Sequence, residues 1–176
     1  ICILGLEIYE LRNFQLEYLN NELNILKNEH QFKFKVELKI KDNFFINNIN
    51  FDKYLLDLRN SRVYDKQYGG TKIGPHRSDI ISIINNDFDA SLLSTGQQKT
   101  VVLMILLAQC NYLLNDKKIS PIFLFDEIGS HLDKHNRYIL LEMINKFDTQ
   151  FFLTGTDKNL FSFVSTNAKF YNITVL

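Results

Sequence analysis

Residues 122–127 read IFLFDE, a short apolar run that ends in two carboxylates. The run follows Pro121 and shows no polar alternation, which predicts a strand buried on both faces within an α/β sheet. Ligands of open α/β sheets gather at the carboxyl ends of the strands, where Asp126 and Glu127 would stand. A helix cap or a solvated turn explains the two carboxylates equally well when they are considered alone.

Asp126 and Glu127 have the residue types of a hard-cation site. Asp126 would hold Mg²⁺ directly or through water, because Mg²⁺ binds carboxylate oxygens. Glu127 would orient or deprotonate an attacking water molecule.

The sequence on either side of this strand alternates between strand and helix patterns, as in a layered α/β domain. Two apolar stretches flank Asn85-Asn86-Asp87, which is a hairpin signal. The further predicted elements are a helix from about Gly96 to Leu114, a helix over 134–147 capped by Asp133, a strand FFLT at 151–154, a short helix capped by Asp157, and a last strand, KFYNITVL, at 169–176.

The pattern is different before residue 70. Leucines recur at helical spacing over 7–29, and QFKFKVELKIK at 31–41 alternates strictly, which predicts a half-buried strand. Its lysines could contact DNA phosphates, but a solvated face or a protected sheet edge is the commoner meaning and is preferred. A helix over 51–66 ends at Gly69-Gly70, where the composition changes, so we place a domain boundary near residue 70.

Bulk composition excludes several classes of protein. The 176 residues suit one good-sized domain or a domain with a small appendage, and 20 basic and 20 acidic side chains cancel, so any basic surface must be local. Cys2 and Cys110 form neither a disulfide framework nor a zinc site, and buried, reduced thiols are expected. The apolar run Val101–Cys110 is about half of a membrane span. The start has neither the basic region of a signal peptide nor a Met, so we expect a longer chain whose N-terminal portion is missing.

A second candidate site is the start of the helix that follows residue 94. LLSTGQQK at 92–99 places small and amide side chains before a long apolar run. Such a helix start exposes backbone N–H groups, which is how proteins bind phosphate. Yet no phosphate loop of the form G-x-x-x-x-G-K-[ST] occurs in the sequence, and Ser94-Thr95 alone is more simply an N-cap. Lys99 is either an exposed helix lysine or a contact to nucleotide or DNA.

The order of these motifs resembles that of the ABC-type ATPase core. There, a signature L-S-G-G-Q precedes a Walker B strand that ends in D-E and a D-loop of the form S-x-L-D. Here, Leu93–Gln97 reads LSTGQ, with Thr95 in place of the first signature glycine. The D-loop is matched by Ser130, His131, Leu132 and Asp133.

Further details resemble the RecF family of DNA-repair proteins. TKIGPHRSD at 71–79 is similar to a G-P-H-R-D-D segment of that family, with Ser78 replacing the first aspartate. FFLTGTD at 151–157 is also similar; Thr156 occupies the position of the switch histidine of other ABC-type ATPases, and Asp157 follows. The resemblance is close over residues 71–164 and loose over residues 1–70.

The resemblance implies an α/β fold, in which residues 71–176 are the C-terminal lobe of an ABC-type ATPase head and residues 1–70 are the end of a helical arm with one amphipathic strand. It implies ATP and Mg²⁺ as cofactors and a homodimer that ATP closes on double-stranded or gapped DNA. Recombination-mediator proteins are implied as partners, with no membrane and a cytoplasmic, nucleoid-associated location. The parent would be a slow DNA-dependent ATPase, and this chain, without the P-loop lobe, would be inactive alone.

The resemblance also assigns roles to residues. In ABC-type dimers the signature of one protomer completes the ATP site of the other, which gives that role to Ser94, Thr95, Gly96, Gln97, Gln98 and Lys99. Asp126 would anchor Mg²⁺ and Glu127 would be the general base. His76 and Arg77 either face phosphate or form a latch between lobes, and the latch is preferred.

Three alternatives stay open. A nucleotide-binding subunit of an ABC transporter normally keeps a switch histidine and lacks the GPHR segment. A chromosome-structure or double-strand-break ATPase would show long heptads before the signature, and none occur here. A non-catalytic remnant that folds but binds nothing requires an experiment to exclude.

Overall fold

The computed structural model describes residues 1–30, 32–42, 50–127, 132–162, 164 and 168–173, with the backbone alone for Met143. Contacts divide the chain into two compact units, Ile1–Leu92 and Leu93–Leu176. The first contains α1 (Cys2–His30), β1 (Val36–Lys41), α2 (Phe51–Tyr68), β2 (Asp79–Ile84) and β3 (Phe88–Asp89), with 3-10 turns at Pro75–Arg77 and Ala90–Leu92. The second contains α3 (Thr95–Asn111), β4 (Ile122–Phe125), α4 (Lys134–Lys146) and β5 (Gln150–Leu153), with a π-helical turn at Tyr112–Asp116 and a 3-10 turn at Lys158–Phe161.

An antiparallel sheet in the order β1-β2-β3 packs against α1 in the first unit. The predicted alternation is confirmed, because Val36 and Leu38 are buried, although the strand begins at Val36 rather than at residue 31. Asn20 of α1 joins helix to strand, since its amide accepts a hydrogen bond from Leu38 N–H at 2.7 Å and donates one to Leu38 O at 3.0 Å. The predicted hairpin is confirmed as well: Asn85 and Asn86 adopt positive φ values of 52° and 61°, as a tight β-hairpin turn requires.

The lysines of β1 have acidic neighbours on the same sheet. Lys39 Nζ lies 3.4 Å from a carboxylate oxygen of Glu37. Hydrogen bonds from Ser91 lower the pKa of Asp89, and the positive charge of Lys41 adds to this effect. These contacts fit the preferred interpretation of a solvated face.

Tyr54 joins α1, α2 and the loop that contains the GPHR segment. The tyrosine is only 1% exposed, and its ring lies against Gly5 of α1 and its hydroxyl against Gly74. Arg12 of α1 donates hydrogen bonds to Pro75 O, at 2.5 Å, and to Ser78 Oγ. Arg12 therefore fastens the Pro75–Arg77 turn to α1, and Tyr54 of α2 packs against the residue before it.

The backbone at Gly74 gives the first testable prediction. Its φ is 130°, and an added Cβ would lie 2.9 Å from Tyr54 Oη, whereas Gly70 has a φ of 138° and open space around it. Both Gly→Ala changes incur backbone strain of about 1–3 kcal/mol, but Gly74→Ala must also displace Tyr54. We expect urea denaturation to show a larger loss of stability for Gly74→Ala than for Gly70→Ala. Equal losses would mean that the Tyr54 contact does not stabilise the loop.

The second unit is built on a parallel pair of strands. Ile122 pairs with Gln150 and Phe125 with Leu153, and the rings of Phe123 and Phe151 stack with centroids 5.2 Å apart. The most deeply buried side chains of α3 are Met104, Leu107 and Ala108. Asn136 of α4 bonds to Thr100 of α3, with Nδ2 donating to Oγ1 at 3.0 Å.

The prediction that β4 is buried on both faces was wrong. Phe125 is buried, but Ile122 is 62% and Leu124 76% exposed, and the adjoining Phe152 of β5 is 51% exposed. Among the described residues, no element covers the face that carries these three side chains. The strand forms as its apolar sequence predicts, but its outer face is exposed because no described element packs over it.

Other boundaries also differ from the expected ones. The units separate after Leu92 rather than near residue 70, because β2 pairs along its whole length with β1 and so joins residues 79–84 to the first unit. The last predicted strand was wrong over 169–173, which is irregular, and its final three residues lie outside the described part of the chain. The α-helix expected to reach Leu114 ends at Asn111, where the π-helical turn begins.

The remaining local predictions are confirmed. The helix predicted over 7–29 is α1, which begins earlier, at Cys2, and α2 ends at Tyr68, where Gly69 with a φ of 72° provides a left-handed cap. Both cysteines are buried and free, and burial raises the pKa of the Cys110 thiol to about 12. In the described part of the chain, no helix combines the length and apolar character that crossing a membrane requires.

Candidate phosphate and metal site

The parallel pairing of β4 with β5 brings their carboxyl ends to one edge of the sheet. At that edge, Thr154 connects the end of β5 to the residues that end and follow β4. Thr154 N–H donates to Phe125 O at 2.9 Å. Its hydroxyl donates to Asp126 Oδ1 at 2.5 Å and accepts from Glu127 N–H at 2.8 Å. The residue directly after β5 therefore contacts the last residue of β4 and the two residues that follow it.

Glu127 has an uncommon backbone conformation. Its φ is 48°, which non-glycine residues rarely adopt and which costs on the order of 1–3 kcal/mol. Strain of this kind persists where surrounding contacts hold it, and the hydrogen bond to Thr154 Oγ1 is one such contact. Both Asp126 and Glu127 are exposed at the surface of the second unit.

A pocket of about 270 Å³ lies beside these carboxylates. Its walls are mainly apolar, and Asp126, Glu127 and Lys99 provide its charged groups. The lining residues are Lys99, Val102, Leu103, Leu106, Leu124, Phe125, Asp126, Glu127 and Leu132. The structure thus brings Lys99, the last residue of the predicted signature, to the same pocket as Asp126 and Glu127.

The start of α3 is a capping box. Ser94 is the N-cap, and its hydroxyl accepts from Gln97 N–H at 3.4 Å while Gln97 Oε1 accepts from Ser94 N–H at 3.1 Å. Gln98 N–H donates to Ser94 O at 2.9 Å, so it is already used. Within the described residues, the N–H groups of Thr95 and Gly96 have no acceptor, which leaves two donors at an exposed helix start.

The other predicted site residues lie on the adjoining loops or outside the described chain. Leu132 lines the pocket, and Asp133 caps α4 by accepting from Asn136 N–H at 2.8 Å. Thr156 and Asp157 are exposed in the loop after β5, where Asp157 caps the 3-10 turn by accepting from Asn159 N–H at 2.9 Å. Ser130 and His131 lie outside the described residues.

His76 and Arg77 belong to the first unit. His76 Nε2 lies 2.9 Å from Thr71 O, which ties the loop to itself, and Arg77 is exposed. The hydrogen bonds of Arg12 to Pro75 O and Ser78 Oγ fasten the same loop to α1. These contacts are those of a structural loop within the unit.

The site can bind Mg²⁺ only if substrate phosphates and water provide the remaining ligands. The described residues include no group of three His, Cys, Asp or Glu side chains that could hold a metal ion. Mg²⁺ usually binds one or two carboxylates together with substrate phosphates and water, rather than an all-protein cage. Asp126, exposed at a strand end, suits that arrangement.

Sequence reasoning missed Thr154. It placed this residue at the end of the FFLT strand and within FFLTGTD without a role at the carboxylates, because nothing in the sequence shows which residue lies beside Asp126. The available signal was a hydroxyl residue at the carboxyl end of a strand expected to neighbour β4.

Comparison with known proteins gives a consistent result. The family model described as RecF/RecN/SMC N terminal domain matches residues 3–175. The DNA replication and repair protein RecF of Agrobacterium fabrum is 37% identical over 123 residues, which are 69% of this chain and 33% of that protein. RecF of Brucella abortus is 37% identical over 117 residues, or 66% of this chain and 30% of that protein.

Solved structures give the same relation. Two structures of the recombination mediator protein RecF in the RecFOR pathway, with ATPrS and with ATP, match with TM-scores of 0.70 and 0.71 at 27% and 25% identity. The matches cover 92% and 90% of this chain and 43% of each of those chains. The chain therefore corresponds to less than half the length of the relatives it matches.

Proposed function

Because the chain belongs to the RecF/RecN/SMC N terminal domain family as a RecF-like protein, we propose that it is the C-terminal part of an ATP-dependent DNA-binding protein. The complete protein would act in recombinational DNA repair and replication restart. ATP would close a homodimer of it on double-stranded or gapped DNA. This assignment replaces the ABC-transporter alternative, which the family match does not favour.

An exposed apolar face supports the proposal that further polypeptide completes this lobe. Ile122, Leu124 and Phe152 adjoin on one side of the β4–β5 pair and are each more than half exposed. Adjoining exposed apolar side chains are typical of surfaces that contact a partner, including other polypeptide. The sequence itself has no phosphate loop, so the N-terminal lobe with the P-loop is the proposed cover.

The single observation that carries the proposal is the fixed pair of carboxylates at the end of β4. Thr154 orients Asp126 and holds the turn at Glu127, and Lys99 reaches the same pocket. Asp126 would contact Mg²⁺, which neutralises charge on ATP phosphates when it is bound. Glu127 would accept a proton from the attacking water.

The start of α3 would act on the other protomer. Thr95 and Gly96 provide two backbone donors, and this sequence contains no phosphate loop for them to act with. The Ser94 hydroxyl donates to Gln97 Oε1 at 2.9 Å and would turn from it to phosphate when the partner binds. These donors would contact the γ-phosphate bound by the P-loop of the partner and stabilise the negative charge spread over its oxygens. Gln97, Gln98 and Lys99 would complete the motif. The D-loop and the switch-position residues Thr156 and Asp157 would also contribute to the ATP sites of the dimer.

DNA and mediator proteins are the proposed partners of the complete protein, in the cytoplasm and associated with the nucleoid. Arg77 is exposed on the fastened GPHR loop, and with His76 it remains a candidate contact to DNA or to another lobe. The proposed partners and location rest on the RecF relatives, whose names assign them to DNA replication and repair.

The chain and the complete protein should differ in ATP binding. Alone, this chain offers only a few of the donors that a triphosphate needs, so we expect calorimetry to find no micromolar affinity for ATP. The complete protein should bind ATP, dimerise with it, and retain duplex DNA only in that dimeric state. Micromolar binding by the isolated chain, or DNA retention that is the same with and without ATP, would contradict the proposed function.

A further inference from the structure

We propose that Thr154 is a positioning residue that selects the oxygen of Asp126 available to a cation and holds the backbone turn of Glu127. The inference deepens the proposed function and rests on it, because it concerns the same two carboxylates. The FFLTGTD motif contains this residue but gives it no role at the carboxylates; the pairing of β4 with β5 places it beside them.

The direction of the two hydroxyl bonds follows from the chemistry of the partners. A threonine hydroxyl has one proton to donate and lone pairs to accept with. The carboxylate of Asp126 accepts, and the backbone N–H of Glu127 can only donate. Thr154 therefore gives its proton to Asp126 Oδ1 and receives the N–H of Glu127, so one side chain connects both residues.

The first consequence concerns Asp126. Oδ1 is occupied by the Thr154 proton at 2.5 Å, and within the described residues no hydrogen bond reaches Oδ2. A cation would therefore meet Oδ2 of a carboxylate whose rotation is already restricted. Restricting a ligand before it binds removes part of the cost of ordering it.

The second consequence concerns Glu127. Its positive φ of 48° is unfavourable, and the 2.8 Å bond from its N–H to Thr154 Oγ1 stabilises that conformation. Without the hydroxyl, the turn can relax toward negative φ and carry the Glu127 carboxylate away from its place beside the pocket.

The chain offers well-matched variants for a test. Thr154→Val keeps the β-branched shape and removes only the hydroxyl, whereas Thr154→Ser keeps the hydroxyl. Thr149→Val is the control, because Thr149 Oγ1 donates to Pro121 O and thus also joins β5 to β4, at the end away from the carboxylates.

The first readout is amide exchange in the complete protein, followed by mass spectrometry of peptides that contain Glu127. Thr154→Val should speed exchange of this amide roughly tenfold through loss of one hydrogen bond, and Thr154→Ser and Thr149→Val should not. Unchanged exchange in Thr154→Val, or an equal increase in Thr149→Val, would overturn the inference. This readout does not require ATP hydrolysis, so it stands even if the proposed function fails.

The second readout is the Mg²⁺ dependence of ATP hydrolysis by the complete protein. Thr154→Val should raise the Mg²⁺ concentration for half-maximal activity and lower kcat, with little change in KM for ATP, and Thr154→Ser should restore both. A Thr154→Val protein with the wild-type Mg²⁺ dependence, or a Thr154→Ser protein as impaired as Thr154→Val, would overturn it. Absence of hydrolysis in the wild-type protein would instead count against the proposed function.

Discussion

Glu127→Gln in the complete protein should still bind ATP but hydrolyse it about a hundredfold or more slowly, because an amide cannot accept the proton of the attacking water. Glutamate and glutamine side chains have the same shape, and either residue must adopt the same backbone φ of 48° at this position. The change therefore isolates the charge and basicity of the carboxylate. Single-turnover hydrolysis and ATP binding measured on the same preparation separate chemistry from affinity.

Two further variants sharpen this test. Asp126→Asn should weaken Mg²⁺-dependent ATP binding rather than slow hydrolysis alone, because it weakens the proposed cation ligand. Glu142→Gln is the control, since Glu142 lies on α4 and pairs with Lys146 at 3.2 Å on the surface of the same unit. Parental turnover by Glu127→Gln would mean that Glu127 is only a carboxylate at a strand end.

Local rules predicted much of the fold. The hairpin at Asn85-Asn86 and the end of α2 at Gly69 depend on backbone conformations that few residue types adopt. At Ser94 and Asp133, the capping side chain accepts a hydrogen bond from an N–H group only three residues further along the chain. Each of these features is determined within a few residues, and so the sequence is sufficient to find it.

Features that depend on distant segments were missed. The unit boundary lies after Leu92 because residues 79–84 pair with residues 36–41, and no periodicity reveals which strands will pair. Ile122 and Leu124 are apolar but exposed, because burial depends on what packs over a strand. The role of Thr154 follows from the register that places Phe125 beside Leu153, which only the three-dimensional pairing supplies.

The interpretation of Ser94 shows how a cap and a functional site can coincide. The structure gives Ser94 the capping role that its residue type suggests. That role does not exclude contact with a phosphate from a second protomer, because the exposed N–H groups of Thr95 and Gly96 remain at the same helix start. A test must therefore change the phosphate contact and leave the cap intact.

Ser94→Asp meets this requirement. Aspartate is as good an N-cap as serine, so α3 should remain stable, but its negative charge would face the γ-phosphate bound by the partner. We expect each variant monomer of the complete protein to bind ATP at its own P-loop, yet to fail in ATP-dependent dimerisation and hydrolysis. Ser94→Asn, which caps without charge, is the matched control and should retain far more activity.

Mixing two inactive variants tests most directly whether this chain completes the ATP site of a partner. Ser94→Asp is combined with a variant whose P-loop lysine is removed. As a control, wild type is combined with the same P-loop variant, to measure the activity of dimers that have one intact site. In the mixed dimer, the intact Ser94 of the P-loop variant would face the working P-loop of the Ser94→Asp protomer. We expect ATP hydrolysis to recover partly on mixing. Normal dimerisation and hydrolysis by Ser94→Asp alone, or mixed dimers that form but stay inactive, would contradict it.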